Sequence, residues 1–129
     1  MIPRHLRKHR AAKSPAVALE RGRYNEARVL EVLQSGMPAW VKTAWPATEE
    51  EDRAGVDLWV RSDLGDIAVQ VKSSKVTDPK KRHRYAERNI VVIVAHDQDT
   101  VEGLRGRLVG KLLIARLRLS TGRQGVKTA

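Results

Sequence analysis

Apolar and polar residues alternate along residues 66–73, in the sequence DIAVQVKS. Ile67, Val69 and Val71 recur with the period of two that is typical of a half-buried β-strand. Because strand side chains alternate between the two faces of a sheet, Gln70 and Lys72 are expected on the face opposite the valines. An amide and an ammonium side by side on one strand are the first candidates for chemistry in this chain.

A helix is predicted over residues 16–34, ended by Gly36 and Pro38. Its apolar positions recur every three residues, at Tyr24, Ala27, Leu30 and Leu33. The spacing of Glu26 from Leu30 and Leu33 predicts that this acid lies along the inward side of the helix. Gly22, one turn earlier, is expected to allow a close approach to a sheet.

Strands are predicted over residues 39–48, 55–60, 66–73 and 89–95. The last of them has the continuous apolar character of a central buried strand. A turn at residues 62–65 makes a hairpin of the second and third strands. If Arg61 and Asp66 flank that turn, Asp57 lies opposite Gln70 and diagonal to Lys72.

The C-terminal part is predicted to hold a loop that runs into a short helix near residues 80–88, and a helix over residues 100–119. Leu104, Leu108, Leu112 and Ala115 share one face of that last helix. Its three glycines each cost about 1 kcal/mol in a helix interior, so a strand within residues 112–119 is an alternative.

The element order predicts an α/β fold, with a mixed central sheet flanked by helices. The chain of 129 residues suits one domain, over residues 16–119, between a basic flexible arm (1–15) and a flexible tail (120–129).

Charge narrows the range of partners. The chain carries 25 basic and 15 acidic residues, a net charge of +10, which favours a polyanion such as DNA or RNA. The four cations predicted to contact phosphates are Lys80, Lys81, Arg82 and Arg84. There is no cysteine, which excludes disulfides and thiolate metal sites. No apolar run is long enough for a membrane span, and the cytoplasm is the expected compartment.

Four side chains could make a site for phosphodiester hydrolysis. Glu26 and Asp57 supply the carboxylate oxygens that Mg²⁺ or Mn²⁺ prefers, and Gln70 can add an amide oxygen or hold a water. Such an ion polarises a phosphoryl oxygen and lowers the pKa of bound water. Lys72 can position that water and stabilise the transition state.

The segments GRYNEARVLEVL, EDRAGVDLWV and GDIAVQVKSS resemble the PD-(D/E)XK nuclease superfamily. The likeness is to its Q-x-K variants, such as Mrr-like restriction endonucleases and archaeal Holliday junction resolvases, and it covers roughly residues 20–96. It implies a restriction-endonuclease-like αβββαβ core. It also implies an Mg²⁺-dependent endonuclease acting on duplex or branched DNA. By this resemblance Glu26, Asp57, Gln70 and Lys72 are the catalytic residues, the first three also binding metal. Val56 stands where the family has its proline, and Gln70 replaces an acid.

Each residue also has a purely structural interpretation. Glu26 could be a solvated helix acid, Gln70 an exposed amide, and Lys72 a charge that protects a sheet edge. Asp52 could support the site from outside, although a solvated EEED loop is the preferred interpretation.

Two further functions are considered. One is a non-catalytic nucleic-acid-binding module that keeps the nuclease fold; the other is a basic ribosome-associated or RNA-binding protein. A homodimer would offer two sites for the two strands of a duplex.

Overall fold

The computed structural model describes residues 15–128 and contains four helices and four strands. In chain order they are α1 (Pro15–Leu33), β1 (Val41–Pro46), α2 (Glu49–Arg53), β2 (Leu58–Ser62), β3 (Gly65–Lys72), α3 (Pro79–Glu87), β4 (Ile90–Val94) and α4 (Val101–Thr128). The strands form one sheet in the order β1-β2-β3-β4. The first three are antiparallel to one another and β4 runs parallel to β3, so the predicted α/β class with a mixed sheet is confirmed.

The β2–β3 hairpin has the predicted register, because Arg61 pairs with Asp66. The next pair, Ser62 with Gly65, shortens the predicted four-residue turn to two residues. The Ser62 hydroxyl closes it, donating to the Gly65 carbonyl at 2.7 Å and accepting from the Leu64 N–H at 3.2 Å. At the other end β2 begins only at Leu58, whereas β3 continues to Lys72. The unequal lengths leave the end of β3 without a β2 partner.

Helices cover both faces of the sheet. The larger core packs α1 and α4 against one face, around Val60, Val69 and Ile93. A smaller cluster on the other face joins Val56, Ala68 and Ile90, with Tyr85 of α3 packed against it. Val56 and Leu58 therefore lie on opposite faces, although strict alternation along the predicted strand 55–60 would place both on one face. The regular alternation starts only at Leu58, where β2 itself begins.

The apolar stripe predicted on α1 is also wrong in part. Tyr24 is 58% exposed and Ala27 is exposed. The buried face is formed instead by Asn25, Val29, Val32 and Leu33. This set follows the 3.6-residue period of a helix, whereas a strict three-residue spacing drifts around it. A Cβ on Gly22 would meet nothing within 4 Å, so this glycine is not required for a close approach.

The strand β4 lies at the edge of the sheet and not at its centre as predicted. Its continuous apolar sequence has a different cause, because α4 packs on one of its faces and α3 on the other. Val91 and Ile93 join the larger core and Ile90 the smaller cluster. A run of apolar residues reports burial on both faces, which a strand at a sheet edge can also have.

The predicted face of α4 is confirmed, since Leu104, Leu108, Leu112 and Ala115 are all buried. The alternative of a strand within residues 112–119 is wrong, because only a helix places these four residues on one side. The helical backbone continues to Thr128, past the predicted end at residue 119. Most of the predicted basic arm, residues 1–14, lies outside the described residues. Of the helices within residues 15–128, none combines the length and apolar character needed to cross a membrane.

Candidate metal centre

Three carboxylates from three parts of the chain meet at one point. Glu26 comes from α1, Asp52 from α2, and Asp57 from the residue just before β2. One carboxylate oxygen of each lies within 4.8 Å of the others. Asp57 is buried with 8% of its surface exposed, Glu26 is half-buried, and Asp52 is exposed. The cluster therefore has a buried floor and one side open to solvent.

Asp57 is held in place by the unequal ends of β2 and β3. Its backbone N–H donates to the Val69 carbonyl at 2.9 Å. Its carboxylate Oδ2 accepts from the Val71 N–H at 2.7 Å. The Asp57 carboxylate thus accepts the hydrogen bond that a backbone carbonyl of β2 would accept if the strand began earlier. This explains why an aspartate occurs at a buried position beside a strand.

Asp52 is placed by a short capped helix. At the start of α2 the Thr48 hydroxyl accepts from the Glu51 N–H at 3.2 Å, and the Glu51 carboxylate accepts from the Thr48 N–H at 2.8 Å. The second oxygen of Glu51 accepts from the Trp59 indole at 2.9 Å, which ties α2 to β2. These hydrogen bonds hold the pKa of Glu51 below its usual range.

The preferred interpretation of residues 49–52 as a solvated loop is therefore wrong, because these residues form α2. The spacing T-x-x-E at Thr48 and Glu51 is a capping-box signature that could have indicated this helix from the sequence.

The electrostatics of the cluster are unfavourable for three free charges. Burial, then the neighbouring carboxyl of Asp52, raise the pKa of Asp57 to about 7, against the opposing effect of the Val71 N–H. Burial and the charge of Asp52 likewise raise the pKa of Glu26. Ionisation of all three carboxylates at this distance is unfavourable unless a proton or a cation neutralises part of their negative charge. A metal cation could supply this compensation, since hard cations select oxygen ligands of this kind.

Gln70 and Lys72 form a pair on the next strand. The Gln70 amide is assigned the orientation in which both of its polar atoms have partners. In that orientation its nitrogen donates to the Gly55 carbonyl, and its oxygen accepts from the Lys72 Nζ at 3.3 Å. The amide is buried and the lysine is half-buried. Within residues 15–128 the ammonium makes no ion pair with the three carboxylates. The pair adjoins the cluster through Val71, which lies between Gln70 and Lys72 in sequence and donates to Asp57.

Gly55 is required by this arrangement. Its φ of +96° lies in a region that residues other than glycine rarely adopt. A Cβ there would also lie 3.2 Å from the end of the Gln70 amide and 3.6 Å from the Tyr85 ring. The glycine lets the chain between α2 and β2 pass directly over the amide.

The four predicted phosphate contacts are all exposed residues of α3. Lys81 and Arg84 line a groove beside Gly55, whereas Lys80 and Arg82 are not among its lining residues. The structure thus brings Glu26 and Asp57 together with Asp52. It pairs Gln70 with Lys72 beside them, and it divides the predicted cations of α3 into two sets.

Comparison of the chain with family models, with curated proteins and with solved structures gave no match.

Proposed function

We propose that the protein is a metal-dependent nuclease that hydrolyses DNA phosphodiester bonds, with Mg²⁺ or Mn²⁺ as its ion. The observation that supports this most is the convergence of Glu26, Asp52 and Asp57 beside the Gln70–Lys72 pair. We further propose that the sheet and its helices are a restriction-endonuclease-like core of the Q-x-K type. The element order and the hairpin register support that assignment.

Each residue has a role in this proposal. Glu26, Asp52 and Asp57 hold the ion through their carboxylate oxygens. When bound, the ion supplies Lewis-acid polarisation of the phosphoryl group and lowers the pKa of a water molecule. Lys72 stabilises the negative charge that develops on the phosphoryl oxygens. Gln70 positions Lys72 by accepting a hydrogen bond from its ammonium, which orients the lysine before the substrate binds.

The test is cleavage of a panel of duplex, branched and single-stranded DNA with Mg²⁺ or Mn²⁺. We expect cleavage by the wild type and none by Asp57→Asn, which keeps a side-chain acceptor for the Val71 N–H and so preserves the fold. Lys72→Ala is expected to abolish cleavage while DNA binding stays within a few-fold. The matched control is Lys75→Ala, which removes an exposed lysine three residues away and should cleave normally. Cleavage by purified Lys72→Ala at the wild-type rate would refute the role of Lys72.

A second candidate is a nucleic-acid-binding module with this fold but no turnover. It is favoured by the contact of Lys72 with Gln70 and not with the carboxylates, and by an amide where a nuclease of this type can have an acid. Calorimetric titration with Mg²⁺ and Mn²⁺ separates the two. The nuclease binds the ion in an Asp57-dependent manner and cleaves, whereas the binding module does neither.

A further inference from the structure

A groove lined by cations runs beside the carboxylate cluster. Its charged lining residues are Arg53, Lys81, Arg84 and Arg88, and Ala54, Gly55 and Tyr85 complete it. Among residues 15–128 no acid lines it, and its volume is about 190 Å³. We call these seven residues the basic groove. Four cations without a compensating acid make a site that attracts anions.

One wall of the basic groove is fixed by hydrogen bonds. The Arg88 guanidinium donates to the Ala54 carbonyl at 2.9 Å, which joins the end of α3 to the segment after α2. Asp78 caps the start of α3 by accepting from the Lys80 N–H at 3.0 Å. The acid Glu87 of the same helix pairs with His83 and is not a lining residue. Lys81, Arg84 and Arg88 are therefore presented by a helix whose two ends are held by hydrogen bonds, whereas Arg53 comes from α2.

Helical spacing separates the cations of α3. Lys81, Arg84 and Arg88 are related by i, i+3 and i+7, so they share one face of the helix. Lys80 and Arg82 are one residue away from Lys81 on either side and point to other faces. The chain thus contains two pairs of cations on one helix, with equal charge and exposure but different positions relative to the basic groove.

The basic groove and the carboxylate cluster take residues from the same short segment, 52–57. Arg53 directly follows Asp52 in sequence, and Gly55 lines the basic groove while its carbonyl accepts from Gln70. The volume is below the roughly 300–1,000 Å³ of sites that enclose a small molecule, so it suits one segment of an extended ligand.

We infer that the basic groove binds a backbone phosphate of the DNA strand that is presented to the carboxylate cluster. The inference rests on the proposed function for the identity of the polymer. Lys81 and Arg84 contact the phosphate and fix the register of the strand on the site. Contacts of this kind position the backbone without reading base sequence. Arg53 and Arg88 complete the cationic wall, and Tyr85 gives the basic groove an apolar side.

The test compares two double variants by fluorescence anisotropy of a labelled DNA duplex in EDTA, over a range of salt concentrations. Lys81→Ala/Arg84→Ala is expected to weaken binding about tenfold or more and to lower the slope of log affinity against log salt by about two. Lys80→Ala/Arg82→Ala removes the same charge from the same helix outside the basic groove. It should change the affinity by only about twofold.

Both variants alter exposed residues, so circular dichroism should show the same fold. Inorganic phosphate is included as a competitor. If the basic groove binds free phosphate, millimolar phosphate should displace the DNA; if it binds a DNA strand, the DNA should stay bound. Equal losses in the two double variants would overturn the inference. Cleavage by the wild type is measured separately. If only the basic-groove variant loses DNA binding and the wild type does not cleave, the inference about the basic groove holds and the proposed nuclease function is rejected. If the wild type cleaves and both variants lose binding equally, the nuclease function holds and the inference is rejected.

Discussion

The carboxylate of Asp57 is bonded to the backbone of β3 and lies beside two other carboxylates. The same contact that positions it also takes it out of water, where its charge is costly. Its neighbours Glu26 and Asp52 add repulsion that the protein alone does not offset. A cluster of this kind destabilises the metal-free protein and gains stability from whatever cation binds there.

At this scale we predict that Asp52→Asn stabilises the metal-free protein. Asp52 is exposed, so removal of its charge should relieve about 1 kcal/mol of repulsion, or roughly 4 °C in the unfolding temperature. Differential scanning fluorimetry in EDTA near pH 8 measures this. Mg²⁺ should then raise the unfolding temperature of the wild type more than that of the variant. The control is Glu50→Gln, an exposed acid of the same helix that is not in the cluster. A lower unfolding temperature for Asp52→Asn would contradict the prediction.

Individual elements bring these residues together, and α2 is the shortest helix among those described. Its five residues make no buried contact of their own, so it depends on the capping box and on the bond from Trp59 to Glu51. Isolated helices of this length are unstable in water. The position of Asp52 therefore depends on Thr48, which lies outside the cluster.

We predict that Thr48→Ala costs about 1 kcal/mol of stability and also weakens Mg²⁺ binding several-fold, because Asp52 is no longer held in place. Urea unfolding and calorimetric titration measure the two effects. Thr77→Ala, at another exposed threonine, is the control and should change neither. Unchanged Mg²⁺ affinity in Thr48→Ala would show that Asp52 is not a ligand or is placed by other contacts.

The segment between β4 and α4 anchors the helix that carries Glu26. Arg28, half a turn from Glu26, donates to the carbonyls of His96 at 3.0 Å and Asp99 at 3.2 Å. Asp99 is fixed in turn, since its carboxylate accepts from Arg107 at 2.8 Å and from the His96 N–H at 2.6 Å. These bonds, with that of Arg107 first, lower the pKa of Asp99 to about 2.

A lowered carboxyl pKa gives a stability contribution with a defined sign. It is present above the ordinary aspartate value of 3.8 and is lost as the pH falls through about 2. We therefore predict that Asp99→Asn lowers the unfolding temperature at pH 5, and that its difference from the wild type closes as the pH approaches 2. Thermal unfolding by circular dichroism over this range measures it. A difference that stays constant with pH would exclude ionisation of Asp99 as its cause.

The sequence predicted seven of these elements, most of them because they show a period of two, a helical period or an uninterrupted apolar run. It also predicted the pairing of Arg61 with Asp66, which fixes where Asp57 lies relative to β3. It did not predict the meeting of Asp52 with Asp57, since that depends on the path of residues 54–56 in three dimensions. Nor did it separate Lys81 from Lys80, because both are exposed cations until the neighbouring segment Ala54–Gly55 is in place.

On the scale of the molecule, opposite charges are arranged side by side. Gly55 lines the basic groove and lies two residues before Asp57 of the carboxylate cluster, in a chain whose net charge is +10. A DNA strand that crosses both is attracted by the groove and repelled by the metal-free cluster. Cation and DNA should therefore favour each other's binding, and this coupling is reciprocal.

We predict that Ca²⁺, used as an oxygen-binding substitute for Mg²⁺, raises the affinity of the wild type for DNA on the order of tenfold. DNA should raise the affinity for Ca²⁺ by the same factor. Asp57→Asn should bind DNA more tightly than the wild type in EDTA and gain little from Ca²⁺, because part of the repulsion is already gone. Anisotropy with and without Ca²⁺ measures this, and an equal Ca²⁺ effect in both proteins would contradict it.

Gly55 lines the basic groove and contacts the Gln70 amide, at a φ of +96° where a Cβ would be strained and tightly placed. A saturation library at this position should therefore be enriched in glycine, under selection for metal binding or for DNA binding. A change of the backbone at Gly55 would therefore alter the basic groove together with the carboxylate cluster. Side-chain substitutions can change the carboxylate cluster and the basic groove separately, whereas a substitution at Gly55 changes both.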